Sequence, residues 1–335
     1  MKRALLSLCV IGLSVGFAFA GGEAEAGAGS LEEMEPVTLR LAHVVNEQDG
    51  FHIAALKFEE LVEGQTDGTI QVEIFPNAQL GDERTLLEGM QIGTVDMGVI
   101  TNGPVANFVE EIAVFELPFL FPSPEVAYEV LDGPIGRELL DELERVNLKG
   151  LAYAERGFRN LTNDVRPVRT PADMEGLKIR VMENPVYIDT FRTLGANAVP
   201  MAWTEALTAL QQGTIDGQEN PVNVIYSFKL YEPQQYLSMT RHTYAPAIFV
   251  MSLAKWNQFP ADAQEIIQSA AQEAAEYERQ WNAENEATQM QALRDNGMEI
   301  ITDPDLSAFQ AQAMDVYEQY GDAFGDYLDR ILAEV

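Results

Sequence analysis

The chain has 335 residues, with 53 acidic against 21 basic side chains and a formal net charge of −32. A charge of that sign and size repels nucleic acid and anionic lipid surfaces, which excludes both as partners. The single cysteine, Cys9, leaves the rest of the chain without a disulfide, a thiolate nucleophile or a thiolate metal site.

Lys2 and Arg3 form a positive head, Ala4 to Phe17 is an apolar run, and Ala18-Phe19-Ala20 offers small residues at the cleavage positions. That pattern predicts a signal peptide over 1–20, cut before Gly21, and export to the periplasm. The run is too short to span a bilayer. No cysteine follows it to carry a lipid anchor. Residues 21–36, rich in Gly, Ala and Glu, are expected to be a flexible leader. About 300 residues remain, enough to bury a core of one large domain or two without covalent ties. Only 6 of the basic residues are lysine (2, 57, 149, 178, 229 and 255). That balance suits a high-salt habitat, where self-repulsion is screened, or an ordinary acidic surface.

Strand and helix patterns then alternate. Val37 to His43 is strand-like, Phe51 to Val62 has helical spacing, and Thr69 to Phe75 alternates apolar and polar residues. Glu83 to Met90 is helical, while Met97 to Thr101 and Gly150 to Ala154 are buried-strand patterns. This alternation predicts parallel α/β layers. One unit occurs twice: Gln91-Ile92-Gly93-Thr94-Val95-Asp96 and Gln211-Gln212-Gly213-Thr214-Ile215-Asp216 both join a helix end, a glycine and a strand start. It is either a common helix-to-strand joint or a sign of two similarly built lobes.

Thr170-Pro171-Ala172-Asp173 has the cap, first-turn proline and acid of a helix start. In the strand Leu177 to Met182, Leu177, Ile179 and Val181 share one face, and Lys178 and Arg180 the other. Asn184 to Leu194 and Thr204 to Gln212 are helical. Pro260 to Asp295 is one long helix whose apolar stripe runs Ile267, Ala270, Ala274, Tyr277, Trp281, closed by Asn296-Gly297. At 1.5 Å per residue it reaches roughly 50 Å, long enough to brace two lobes or to form a dimer arm.

Catalytic patterns do not emerge. The three histidines, His43, His52 and His242, are scattered, and no metalloprotease run, phosphate loop or nucleophile elbow is present. No enzyme activity, cofactor or metal is expected. Arginine is the better lead, because an anion bound by so acidic a protein needs local positive charge. Arg159 and Arg180 both sit in strand patterns, and a guanidinium grips a carboxylate with two parallel hydrogen bonds.

The run Gly176-Leu177-Lys178-Ile179-Arg180-Val181-Met182-Glu183-Asn184-Pro185 resembles the ligand-arginine segment of solute-binding proteins of TRAP (tripartite ATP-independent periplasmic) transporters. Gln79-Leu80-Gly81-Asp82-Glu83-Arg84, Phe115-Glu116-Leu117-Pro118-Phe119-Leu120-Phe121, Pro200-Met201-Ala202-Trp203-Thr204-Glu205 and Gly217-Gln218-Glu219-Asn220-Pro221 resemble further blocks, in the family's order from about Val37 onward.

The resemblance implies an α/β, two-lobed periplasmic binding protein fold with a long helix shared by both lobes. Lobe I would comprise 37–157 plus 246–285, and lobe II 158–245 plus 286–335. It implies that Arg180 pairs with a ligand carboxylate, that Asn220 adds a hydrogen bond and Arg159 further positive charge, and that Asn184 and Trp203 line the same cleft. Asn46, Glu83 and Asn102 would face the ligand from the other lobe. The implied partners are a small carboxylate ligand and the TRAP membrane permease, with the protein a monomer unless the long helix pairs. A sugar acid, uronate or aldonate, is favoured by the amide- and tyrosine-rich surroundings, against a C4-dicarboxylate or 2-oxo acid that would use the second arginine. A sensor presenting bound acid to a membrane receptor is the rival of another class.

Overall fold

Among the described residues nine strands form one sheet: β1 (Val37–Ala42), β2 (Ile70–Phe75), β3 (Met97–Thr101), β4 (Leu148–Asn163), β5 (Lys178–Val181), β6 (Asn197–Pro200), β7 (Gly217–Asn220), β8 (Tyr236–Ser252) and β9 (Glu299–Ile301). The computed structural model describes residues 29–321 and 323–335, so the expected signal peptide and its cleavage site lie outside the described residues. None of the described helices is long and apolar enough to cross a membrane.

The strand order is β2-β1-β3-β8-β4-β7-β5-β6, with β9 paired to β8. Its two ends have one design. β1 pairs in parallel with β2 and β3 at one end, and β5 in parallel with β6 and β7 at the other. The repeated Gly-Thr-aliphatic-Asp unit feeds β3 in the first half and β7 in the second. Its aspartates have the same duty: Asp96 accepts the backbone N–H of Arg40 at the middle of β1, and Asp216 that of Lys178 at the start of β5, at 2.9 and 2.8 Å. The repeat therefore reflects two similarly wound halves.

Between the halves run the two long antiparallel strands, β4 and β8, paired from Leu148–Ser252 to Asn163–Tyr236. The sequence pattern showed only the first third of β4. Register shifts at Gly150/Ala152, Glu155/Gly157 and Arg159/Leu161 break the period-2 alternation that would have revealed the rest. At the second shift Gly157 takes a φ of +92°, where a side chain would be strained.

Helices are fixed locally by their caps. Asp49 accepts from Phe51 N–H at the start of Gly50–Gln65, and Asp82 from Thr85 N–H at the start of Glu83–Gln91. Thr170 and Asp173 do form the expected capping box, but over a single 3-10 turn, Pro171–Met174, because β5 begins soon after.

The long helix is Ala261–Asp295. Its first part buries Ala263, Ile267, Ala270 and Ala274 in the largest core, and its end places Leu293 in a separate cluster with Leu210, Ile225 and Leu237. It thus packs on both halves. Tyr277 departs from the expected stripe and is 47% exposed. At 3.6 residues per turn it lies about 80° off the direction of Ile267, whereas Glu278 lies within about 20° of it. The buried middle of the helix is accordingly polar: Glu278 accepts the backbone N–H of Glu155 at 2.9 Å, and Arg279 donates to the Tyr153 carbonyl at 2.7 Å.

Two boundaries differ from expectation. The last residues of the leader are docked, with Leu31 N–H on Asp262 at 2.9 Å and Leu31 and Met34 against the main core. The C-terminal stretch, expected in the second lobe, returns to the first core through Val316, Phe324, Leu328 and Ile331. An apolar segment joins whichever core its turn brings it to, and that is not a local property.

Candidate functional site

Ile179 and Val181 anchor β5 in a core cluster, so Arg180 between them projects to the opposite face, where it is 3% exposed. Its Nε and Nη2 donate to the Met201 carbonyl at 3.0 and 2.7 Å, and its guanidinium lies 5.5 Å from the centre of the Trp203 ring. It takes part in no ion pair among the described residues. Burial pushes its pKa down to about 10, against the pull of Glu219 and Glu83. A buried cation without its own carboxylate is costly, and an incoming anion relieves that cost.

Arg159 is different. Its Nη2 donates to the Glu219 side chain at 2.8 Å and to the Glu219 carbonyl at 2.7 Å, and its Nε to the same carboxylate. His242 Nε2 lies 3.2 Å from the same carboxylate oxygen that Arg159 Nε reaches. Arg159 holds the carboxyl of Glu219 below its usual range despite burial. The charge expected to be available to a ligand is therefore already matched within the protein.

A third guanidinium, Arg156, was missed. It is buried beside Gly157, donates to Asp49 at 2.8 Å and lies 3.6 Å from the centre of the Phe51 ring. The signal was Arg-Gly-x-Arg: a glycine at positive φ makes the bulge that brings residues three apart to one cavity.

These three arginines line one small cavity together with Glu83, Thr101, Trp203 and Asn220. An adjoining cavity of 90 Å³ shares Val44, Glu83, Arg180, Met182 and Trp203 with it. Glu83, partly buried, accepts the Thr101 N–H at 2.7 Å, and burial raises its pKa. Trp203 stacks edge-on against Phe228 at 5.1 Å, and its buried Nε1 has no partner among the described residues. Asn220 donates to Gln218 at 2.6 Å. Arg180, Arg159, Asn220, Trp203 and Glu83 thus come together.

Three expected residues do not. Asn184 caps the helix Pro185–Thr193, its oxygen accepting Val186 N–H and its nitrogen donating to the Gly103 carbonyl at 3.0 Å. Asn102 donates to the Ile112 carbonyl and, at 2.7 Å, to Glu116. Asn46 donates to the Ser227 carbonyl at 3.1 Å and accepts from Gln48 N–H. None lines either cavity. In each the amide is tied to partners within the fold, and in Asn102 the nitrogen makes two such bonds. Gly103 and Ser227 come from the opposite half in the cases of Asn184 and Asn46, so these two tie the halves together.

Glu116 sits just behind the site, fully buried, with one oxygen on Asn102 and the other without a partner. Burial pushes its pKa up to about 7.

A larger cavity, of 530 Å³, lies elsewhere, against the long helix. Its Arg279 is paired with Asp132, its Arg156 with Asp49, and Glu125, Glu155, Glu276 and Glu286 outnumber the unpaired Arg241. That lining disfavours an anion, so size alone does not make it the site.

The sequence profile of the bacterial extracellular solute-binding proteins, family 7 (DctP), matches residues 41–322. The 2,3-diketo-L-gulonate-binding periplasmic protein YiaO of Escherichia coli K12 is 38% identical over 280 residues, 84% of this chain and 85% of that protein. A TRAP periplasmic solute-binding protein from Bordetella bronchispeptica, with density assigned to pantoate, is 40% identical with a TM-score of 0.87, covering 89% of this chain and 99% of that one. A TRAP periplasmic solute-binding protein from Roseobacter denitrificans OCh 114 with bound L-galactonate is 37% identical with a TM-score of 0.84, covering 90% and 99%.

Proposed function

The chain belongs to the bacterial extracellular solute-binding proteins of family 7, and on that footing we propose that it captures a sugar acid outside the cytoplasm and hands it to a TRAP-type membrane permease. The carrying observation is Arg180, buried at the cavity wall with no carboxylate of its own among the described residues. In the proposed cycle the open lobes admit the acid, Arg180 fixes its carboxylate, and closure excludes water from the pair. Asn220 and the orphaned Trp203 Nε1 then donate to the remaining oxygens, which keeps the desolvated pair from being left under-satisfied, and Glu83 accepts from a ligand hydroxyl.

The aldonate or uronate reading is supported by relatives that bind 2,3-diketo-L-gulonate and L-galactonate. The rival dicarboxylate reading relied on Arg159 as a second clamp, and Glu219 already occupies that clamp. We read the chain as a carrier without catalytic activity, exported to the periplasm by its N-terminal signal, with residues around β1–β3 and β5–β7 as the closing lobes.

A thermal-shift screen against organic acids tests this. A ligand that binds only the folded state, at a hundredfold excess over Kd, adds about 2.7 kcal/mol of stability. Sugar acids should raise the melting temperature of the wild type and leave Arg180→Ala unmoved. An equal shift in that variant would remove Arg180 from the site.

A further inference from the structure

We propose that Asp49 and Glu219, by matching Arg156 and Arg159 inside the fold, leave the site a single uncompensated cation among the described residues, so that it accepts monocarboxylates and rejects the diacids of the same carbon skeleton, with Arg156 reading ligand hydroxyls. This rests on the sugar-acid reading and deepens it.

Three guanidinia on one cavity would ordinarily suit a ligand with two or more negative charges. Here two of them are spent. Asp49 and Glu219 are both fully buried, so neither carboxylate exchanges its arginine for water. Arg159 gives Glu219 three hydrogen bonds, counting the carbonyl. Arg156 gives Asp49 one through Nη1 and lies over the Phe51 ring. Glu83 adds a further acid to the same wall, held by Thr101 N–H.

A second ligand carboxylate would meet no free cation and would face Glu83, losing its hydration with nothing to replace it. A hydroxyl at that place loses far less. Arg156 has donors beyond the one used by Asp49, and a matched guanidinium still donates to neutral oxygens. Discrimination comes from the repulsive element as much as from the attractive one.

Matched acids provide the test: erythronate against meso-tartrate, and galactonate against galactarate, titrated calorimetrically into the purified protein. The wild type should bind a monoacid at least about tenfold more tightly than its diacid, which is 1.4 kcal/mol or more. Asp49→Asn keeps the cap oxygen for Phe51 N–H and removes only the charge. It should improve diacid binding about tenfold and change monoacid binding by no more than about threefold. Glu219→Gln should move the ratio the same way. Arg156→Gln should weaken galactonate about tenfold or more while leaving glycerate, which has no distal hydroxyls, unchanged. Melting curves of the free variants check that each is folded.

Equal affinity for mono- and diacid in the wild type overturns the inference and leaves the sugar-acid reading standing. An unmoved ratio in both charge variants overturns it as well. Equal loss of galactonate and glycerate in Arg156→Gln overturns the hydroxyl role. If no monoacid binds at all, the parent reading itself is overturned.

Discussion

Arg159 and Glu219 lie 60 residues apart in sequence and meet in the interior, where the guanidinium grips both the carboxylate and the backbone carbonyl of its partner. Arg180, close enough for its pKa to respond to both, donates among the described residues to the carbonyl of Met201 and to no carboxylate. The two arginines therefore differ in what the fold gives them: one has a carboxylate and the other a carbonyl.

Removing one member of the Arg159–Glu219 pair strands the other as a buried charge. Glu219→Ala should cost about 3–5 kcal/mol in urea unfolding at pH 7. The folded pKa of Glu219 is depressed below the ordinary 4.5, so its contribution is full above that value and is lost as pH falls through the folded value. The variant should therefore lose less stability, relative to wild type, at acid pH than at neutral pH. A pH-independent gap would contradict the pairing.

Arg180 should behave in the opposite sense. Its burial is unfavourable to the charge, so the ligand-free Arg180→Ala protein should be as stable as the wild type or more so. The same variant should lose the ligand-induced rise in melting temperature. Arg180→Lys keeps the charge and loses the planar fork, and should weaken binding about 10- to 100-fold. A large destabilisation of free Arg180→Ala would show that its main role is structural.

Glu116 supplies a second pH signature with the reverse sign. Its folded pKa is raised from 4.5 to about 7, so its protonation stabilises the fold fully below about 4.5, and that gain is lost as pH rises through 7. Glu116→Gln retains an oxygen for Asn102 and should flatten the loss of stability between pH 5 and 8, by up to about 3 kcal/mol at the alkaline end. Unfolding free energies at half-unit pH steps would detect it. Parallel curves for variant and wild type would refute it.

Gly217 opens β7 against β4. A Cβ there would lie 2.1 Å from the Thr162 carbonyl oxygen and 3.0 Å from Asn163 Cα, both backbone atoms of a central strand. Gly217→Ala should cost about 1–3 kcal/mol or more and weaken ligand binding, since Glu219 and Asn220 follow on the same strand. Gly213→Ala has open space but a φ of +64°, and should cost less than Gly217→Ala. The ranking is read from paired melting curves.

The sequence by itself determined what depends on near neighbours. Alternation and helical spacing placed β1, β2, β3, β5 and the start of β4, and five helices including the long one, but not β8; the doubled Gly-Thr-aliphatic-Asp unit left two similarly built halves as one of two readings. Arg180 was legible because its flanking residues fix the face it takes. The capping duty of Asn184 was open to the same local reading, since an asparagine before a proline that opens a helix is a cap, but the residue was expected in the cleft.

Only the tertiary structure decided which charges are available. Arg156 meets Asp49 across 107 residues, and Asn46 meets the Ser227 carbonyl across 181. Whether a polar group faces a ligand or is spent inside the fold depends on what a distant strand or helix brings beside it. With 53 carboxylates in the chain, nothing local picks out the one that closes on a given guanidinium.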